Sequence, residues 1–577
     1  MKEVVLIDKV CTGLIRRVQW SPATGYLYVL CSEEQTLRVY DTSGLGPNKK
    51  ATKQAQTVLL DHPTTRQIIH GLIINPKPSE CVDEVIFFCD GFIYVSKIIL
   101  GKNKKLEGQR LRGVTTKTKE KAFISGAYLP DGSWVIGGAS GTLYFGSDNK
   151  VTKELKQVHK KPITSIVINS KADTIYTAST DETIKALDIS GKDKWQTKNI
   201  HIDGSDFKSQ PSAIDIDENS GYIFIGTKTN QIAKFDIKTQ KTDMVIDGHD
   251  GQIWGVVAHP TDRTFITAGW DKAVKIWDPA IHHCTGTYEF SDKDTPEDHI
   301  NKKNNNNSSS NNNESDEKTT SPKASSSPSA EKWQLQNCAI SGDGKWIAVG
   351  TTSSTLAILS YPKLELKATH FIPLANVNNA LEGIEFLKWS PNNEYLAVAH
   401  GDAHCYIINV NVGDDENITL KQWKGLNHRA APSHLQWSTD GTIVKCLTRD
   451  YEVVHWLLDF SKKTAEFSTK IPDPDKVQWH GDPLVAGWDV QGLYQRGWDG
   501  TDLNATSLTS DSRLIASGDD FGTVRLHNYP AIDSEACRAY NGHAEFVVGV
   551  DFLNDDSYLL SVGGADMSIF QWKVVEK

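Results

Sequence analysis

"GHDGQIWGVVAHPTDRTFITAGWDKAVKIWD", residues 248–278, is the stretch whose reading decides the fold. It holds three short runs rich in Val, Ile, Phe, Thr and Trp, separated by turn-forming clusters at 260–262 and 270–272. Runs of that length and composition, punctuated in that way, read as consecutive antiparallel strands. A second copy, "GHAEFVVGVDFLNDDSYLLSVGGADMSIFQWKV", occupies 542–574. Both open on Gly-His, place a hydroxyl residue before a turn Asp, and close a strand with Trp. His249 and Trp277 are 28 positions apart, and His543 and Trp572 are 29 apart. His249, Thr267, Asp271 and Trp277 hold these positions in one unit, and His543, Ser561, Asp566 and Trp572 in the other. In the known strand repeats that these two copies resemble, the four positions form a buried relay: the Asp orients the His, the hydroxyl bridges, and the indole N–H donates. Buried polar groups must be paired, so the relay reads as a packing device and not as catalytic machinery. Trp270, inserted at the turn, is expected at the surface.

Weaker copies fill the remainder, at 16–41, in the segments "IIHGLIINP" and "DEVIFFCDGFIYVSKI", and at 124–148, 163–189 and 212–237. Beyond residue 278 they recur at 337–361, 386–410, 433–459, 476–498 and 504–529. A period of this kind is the signature of WD-repeat blades, each a four-stranded sheet. The expected fold is therefore all-β, with about twelve blades; rings close with roughly four to eight, so two β-propellers in tandem are expected. The division is placed at 1–245, about five blades, and 246–577, about seven. On this count the first propeller is incomplete at its N-terminal side, and an open ring would expose strand edges. One segment breaks the pattern. Residues 291–332 are Asn/Ser-rich with no apolar period, which reads as a disordered insertion between an outer strand and the next inner strand.

Composition narrows the function. The chain has 577 residues, with 38% hydrophobic and 23% charged, enough for large soluble cores. Nine Cys occur without a C-x-x-C pair, which suits free thiols in a reducing compartment. No apolar run reaches the length of a membrane helix, and the N-terminal run is broken by Asp8, Lys9, Arg16 and Arg17, unlike a signal peptide. A cytoplasmic location is expected. No P-loop, H-E-x-x-H or G-x-S-x-G pattern occurs. No catalytic site, cofactor or metal is expected, and the chain reads as a non-enzyme. His400, His404 and Cys405 in "HGDAHC" lie across a turn and not on a helix face, which disfavours a shared metal. Asp519 and Asp520 in "SGDDF" read as inter-strand turn residues.

The ordered set of segments "GHDGQIWGVVAHP" (248–260), "KWSPNNEYLAVAHGDAHCYIINV" (388–410), "HLQWSTDGTIVKCLTRDYEVVHW" (434–456), "GWDGTDLNA" (497–505), "SGDDFGTVRLHNYP" (517–530) and "SVGGADMSIFQWKV" (561–574) is more specific than a generic repeat. Together they resemble the tandem propeller region of the echinoderm microtubule-associated protein-like family. The resemblance implies a rigid propeller pair that contacts tubulin or microtubules, modulates cytoskeletal assembly, and is not an enzyme. The family opens with a trimerising coiled coil and a hydrophobic motif that this sequence does not show, and has seven blades where about five precede Gly248 here. A truncated chain is therefore expected, with weaker avidity on a lattice.

Charge suggests where a partner sits. The net −10 is uneven: residues 1–250 carry 34 Lys/Arg against 29 Asp/Glu, and residues 251–577 carry 28 against 43. From Lys97 to Lys161 there are 14 Lys/Arg and 5 Asp/Glu. The candidate tubulin-binding band is Lys102, Lys104, Lys105, Arg110, Arg112, Lys117, Lys119 and Lys121, which would attract an acidic surface. No nucleic-acid motif accompanies it. The alternative reading is a general WD-repeat scaffold that docks other proteins through its propeller faces without microtubule affinity, with neither nucleic acid nor membrane as partner.

Overall fold

The computed structural model describes residues 15–31, 36–40, 56–59, 68–79, 81–101, 106–109, 112–114, 119–197, 210–291, 333–373, 383–471, 476–498, 502–534 and 536–575. These form eleven antiparallel sheets, eight of them with four strands in chain order, and the one described helix is a single 3-10 turn at Gln491–Leu493. The fold is all-β, built of propeller blades. Five blades span 15–59, 69–113, 123–155, 163–196 and 211–246. Six more span 253–289, 335–371, 384–427, 432–480, 503–541 and 547–573. The chain divides into two compact units, Met1–Asp247 and Gly248–Lys577. All but Ser291 of the Asn/Ser-rich 291–332 stretch lies outside the described residues.

The strands form because β-branched and aromatic residues alternate toward neighbouring blades. In the blade at 253–289, Phe265–Gly269 is buried throughout, and in the next blade so is Trp346–Thr351. A middle strand covered on both faces becomes a continuous apolar run. Cores consequently lie between blades: Ile266, Val274, Leu335, Ile347 and Leu359 form one, and Tyr176, Ile184, Ile223 and Phe235 another.

One irregularity repeats. In all eleven blades the register between the first and second strands shifts near the start of the first, as at Ile253/Gly255, Ile163/Ser165 and Val547/Gly549. A bulge there bends the inner strand and raises its twist, which lets successive blades fan around an axis. Gly255 and Gly549 sit on these inner strands where the next blade presses closest: a Cβ on Gly255 would lie 2.8 Å from Cys338 Sγ, and one on Gly549 2.7 Å from Val256.

In the second unit the ring closes. Ile253–Ala258 packs on Leu335–Ile340 on one side and on Val547–Phe552 on the other. Ala258 N donates to Asp551 (2.7 Å), Asn554 Nδ2 to the Thr261 carbonyl (2.6 Å), and Gln571 Nε2 to the Pro279 carbonyl (2.9 Å). In the first unit the inner strands pack in chain order, from Ile15–Trp20 through to Pro211–Asp217. Asp83 joins its first two blades, accepting from Ser21 Oγ (2.6 Å), Thr24 Oγ1 (2.9 Å) and Tyr28 Oη (2.6 Å).

Residues 476–498, expected as a blade, do not build a sheet of their own. Only Trp479–His480 is extended, pairing with Trp437 and Ser438 of the preceding blade. Pro483 cannot donate to a ladder, and Gly481 and Gly497 take positive φ (72° and 91°), so the alternation is cut before a strand can run. The segment nonetheless fills a blade's place. Leu484, Val485, Val490 and Leu493 pack with Leu447 before it and Leu503 and Ile515 after it.

Candidate functional site

The relays come together as hydrogen-bonded chains. His249 Nδ1 lies 2.9 Å and 3.0 Å from the two Asp271 oxygens, and its Nε2 lies 2.7 Å from Thr267 Oγ1. Trp277 Nε1 donates to the same hydroxyl at 2.7 Å. In the last blade His543 Nδ1 is 3.0 Å from Asp566, Nε2 is 2.8 Å from Ser561 Oγ, and Trp572 Nε1 donates to Ser561 at 2.8 Å. A single proton arrangement satisfies every group: indole N–H to hydroxyl, hydroxyl O–H to Nε2, Nδ1–H to carboxylate. The carboxylates also accept backbone N–H groups, Asp271 from Asp250 (2.9 Å) and Ala273 (3.2 Å). Burial alone would push Asp271 up, but the His249 bond and those amides hold it below the usual carboxylate range. His543 is held below the ordinary histidine value by burial, which Asp566 only partly opposes. With hydroxyl and imidazole sealed inside the blade (Thr267 and Ser561 fully buried), no reacting atom could reach them. The arrangement ties the inter-blade loop to two strands of its own sheet.

The sequence reading missed a third relay. His159 Nε2 lies 2.9 Å from Thr177 Oγ1, and its Nδ1 lies 3.2 Å from both Asp181 oxygens. Its signal was present: His159, Thr177 and Asp181 repeat the spacing of His249, Thr267 and Asp271. The terminal Trp is replaced by Leu187 and the preceding Gly by Val158, which hid it.

Trp270, expected at the surface, is half-buried instead. It stacks on Trp254 (centroids 5.3 Å, 19°), which also meets Phe546 (5.9 Å). The flat side chain at the turn thus covers the neighbouring inner strand. Asp519 is buried at the turn after Leu514–Asp519, accepting Phe521 N (3.0 Å) and Thr523 N (2.8 Å). Asp520 accepts from Asn504 Nδ2 at 2.7 Å. In "HGDAHC", Asp402 gathers the histidines: His400 Nδ1 is 2.9 Å away and His404 Nδ1 3.4 Å, while Tyr406 Oη donates at 2.7 Å. His400 Nε2 is taken by Ser354 Oγ at 2.8 Å, so one carboxylate holds both histidines while Cys405 packs in an apolar cluster.

Of the basic band, Arg112, Lys119 and Lys121 are exposed, while Lys102, Lys104, Lys105, Arg110 and Lys117 lie outside the described residues. Arg112 lies on the short strand paired to Tyr94 and Val95, at a cleft of about 230 Å³ shared with Lys97, Glu84 and Asp148. Lys150, Lys160 and Lys161 are exposed in the two following blades.

Comparison with known proteins is consistent with this architecture. Residues 318–574 match the family described as the echinoderm microtubule-associated protein second beta-propeller, and residues 240–278 match the WD domain, G-beta repeat. The resemblance is to the echinoderm microtubule-associated protein-like family. "Echinoderm microtubule-associated protein-like 2" of Mus musculus is 27% identical over 470 residues, covering 79% of this chain and 61% of the relative. The "77 kDa echinoderm microtubule-associated protein" of Lytechinus variegatus is 26% identical over 463 residues, 79% of this chain and 60% of the relative. "Echinoderm microtubule-associated protein-like 3" of Homo sapiens is 27% identical, covering 81% of this chain and 47% of the relative. The chain thus spans about three-fifths or less of the length of these curated relatives. Among the described residues no helix is long and apolar enough to cross a membrane.

Proposed function

We propose that this chain is a non-enzymatic microtubule-associated protein that binds tubulin or microtubules at the cytoskeleton and modulates their assembly. The observation that carries the reading is the match of a second-propeller family model across 318–574, joined to relatives named as microtubule-associated over most of the chain. The exposed cations of the first unit support it. An acidic lattice surface would be drawn to exposed Arg112, Lys119, Lys121, Lys160 and Lys161. The polar groups with the most constrained geometry are consumed inside blades, which supports a binding role over catalysis.

Co-sedimentation with microtubules across a salt series tests this, beside a variant with Lys102, Lys104, Lys105, Arg110 and Arg112 changed to Glu. Wild type should pellet near physiological salt and weaken as salt screens the contact, and the variant should remain in solution. Equal pelleting of both would remove the basic band as the contact. Pelleting of neither would overturn the microtubule reading for this chain.

A further inference from the structure

The last blade differs from its ten companions. Among the described residues its sheet has three strands, Val547–Phe552, Tyr558–Gly563 and Ile569–Lys573, whereas the other blades have four or five. The outer edge of Ile569–Lys573 is therefore unpaired in the described sheet. Its backbone polarity can be assigned. Val574 N donates to Ser557 O at 3.0 Å, and Ser568 O accepts from Gly563 N at 3.0 Å. Alternate residues of an antiparallel strand bond to opposite sides, so Ile569, Gln571 and Lys573 turn their N–H and C=O groups outward.

Beside this edge lies a cavity of about 500 Å³, between the last blade and the outer strand Cys537–Asn541 of the blade before it. Leu526, Phe552, Leu559 and Trp572 give it an apolar floor, and Arg538 and Lys573 stand exposed at its walls. No Asp or Glu lines it. In the complete blades, side chains of the outer strand occupy this kind of space. Cys284 of His283–Glu289 packs beside Phe265 and Trp277, and Trp423 of Ile418–Asn427 packs on the cluster of Trp437 and Leu458. The cavity over Trp572 is the volume that such a fourth-strand side chain would fill.

We propose that this edge is a docking site for an extended, acidic segment of a partner protein, which pairs with Ile569–Lys573 as a fourth strand and sets one large apolar side chain into the cavity. Main-chain bonds to the outward groups supply affinity, and the pocket and its two cations supply selectivity. The acidic character follows from exposed Arg538 and Lys573 in a lining that holds no carboxylate. This site belongs to the second unit and does not depend on the microtubule reading.

The test uses the full chain and fluorescein-labelled peptides alternating Glu and Val around a central Leu, Tyr or Trp, followed by anisotropy. At least one acidic peptide should bind the wild type in the micromolar range, and its Lys-for-Glu counterpart should bind about tenfold or more weakly. Arg538→Glu should cost about tenfold or more. Lys573→Pro should weaken binding further than Lys573→Ala, because proline removes an outward N–H while leaving the ladder to Tyr558–Gly563 intact. Circular dichroism of each variant confirms folding. Failure of every acidic peptide to bind, or binding indifferent to these substitutions, overturns the proposal. So does slow exchange of the Ile569, Gln571 and Lys573 amides in the unliganded protein, which would show that a segment of this same chain already holds the edge.

Discussion

The blade around His249 and the blade around His159 solve one problem with different residues. Each ties a loop histidine to a strand hydroxyl and a turn aspartate. In the first, Trp277 adds a fourth member and Gly269 stands where a Cβ would come within 2.7 Å of His249 Nδ1 and 2.8 Å of Asp271 Oδ1. In the second, Leu187 replaces the Trp and Ser179 replaces the Gly. The His–Asp contact lengthens from 2.9 Å to 3.2 Å, and Thr183 Oγ1 moves in at 3.0 Å from His159 Nδ1. The His–hydroxyl–Asp core is thus the part the blade requires. The Trp and the Gly tighten it, and a second hydroxyl can take up the slack.

The largest test of that comparison is removal of the carboxylate. Asp271→Ala strands His249 Nδ1 and the N–H groups of Asp250 and Ala273, and should cost about 3 kcal/mol in urea unfolding. Asp181→Ala should cost less, about 2 kcal/mol, because Thr183 remains within reach of His159. Equal losses would mean that the second hydroxyl does not substitute.

A smaller effect probes the glycine. Gly269→Ser forces a Cβ against His249 and Asp271 and should destabilise by about 2 kcal/mol. Ser179→Gly loses the hydroxyl's bond to the Lys161 carbonyl and the one it accepts from Asp181 N (3.1 Å), and should cost about 1 kcal/mol. If Gly269→Ser proved neutral, the close packing at the relay would not discriminate between the blades.

The smallest expected effect near neutrality is the response to acid. Burial holds His159 and His543 below the ordinary histidine value, each opposed by its Asp partner. Burial also takes His428, His455 and His527 down to about 4. A histidine whose folded pKa is depressed stabilises fully above its unfolded value. That stability is lost as pH falls below about 6.5, where the unfolded chain takes up protons that the folded chain refuses. The loss continues until the folded values are reached. Four of these five histidines lie in the second unit, so segment-resolved hydrogen exchange should show its blades loosening before those of the first as pH drops. Simultaneous loosening would place the acid-sensitive groups elsewhere.

Much of the fold is legible along the chain because a blade is a local object. Its strands are consecutive, its turns are short, and its relay residues fall within one repeat. His249, Thr267, Asp271 and Trp277 could be assembled from their match to a known repeat pattern, and so could the His543 set. His159 escaped because two of its familiar neighbours, the preceding Gly and the closing Trp, are absent. Residues 476–498 misled in the opposite direction. Their Trp and Val content imitates a blade, yet Pro483 and the glycines deny them a ladder, and they hold a blade's place through packing with Leu447, Leu503 and Ile515.

The sequence by itself determined the repeat, the all-β class, two of the relays and the uneven charge, since each depends on residues near one another in the chain. Tertiary structure decided what depends on residues far apart. It joined Ala258 to Asp551 and Gln571 to Pro279 across the closure of the second ring, set Phe546 against Trp254, and opened a cavity over Trp572 beside a strand edge with outward-facing amides. Pairing and burial across hundreds of residues leave no periodic mark, because a strand carries the same alternation whether its outer edge is covered or bare.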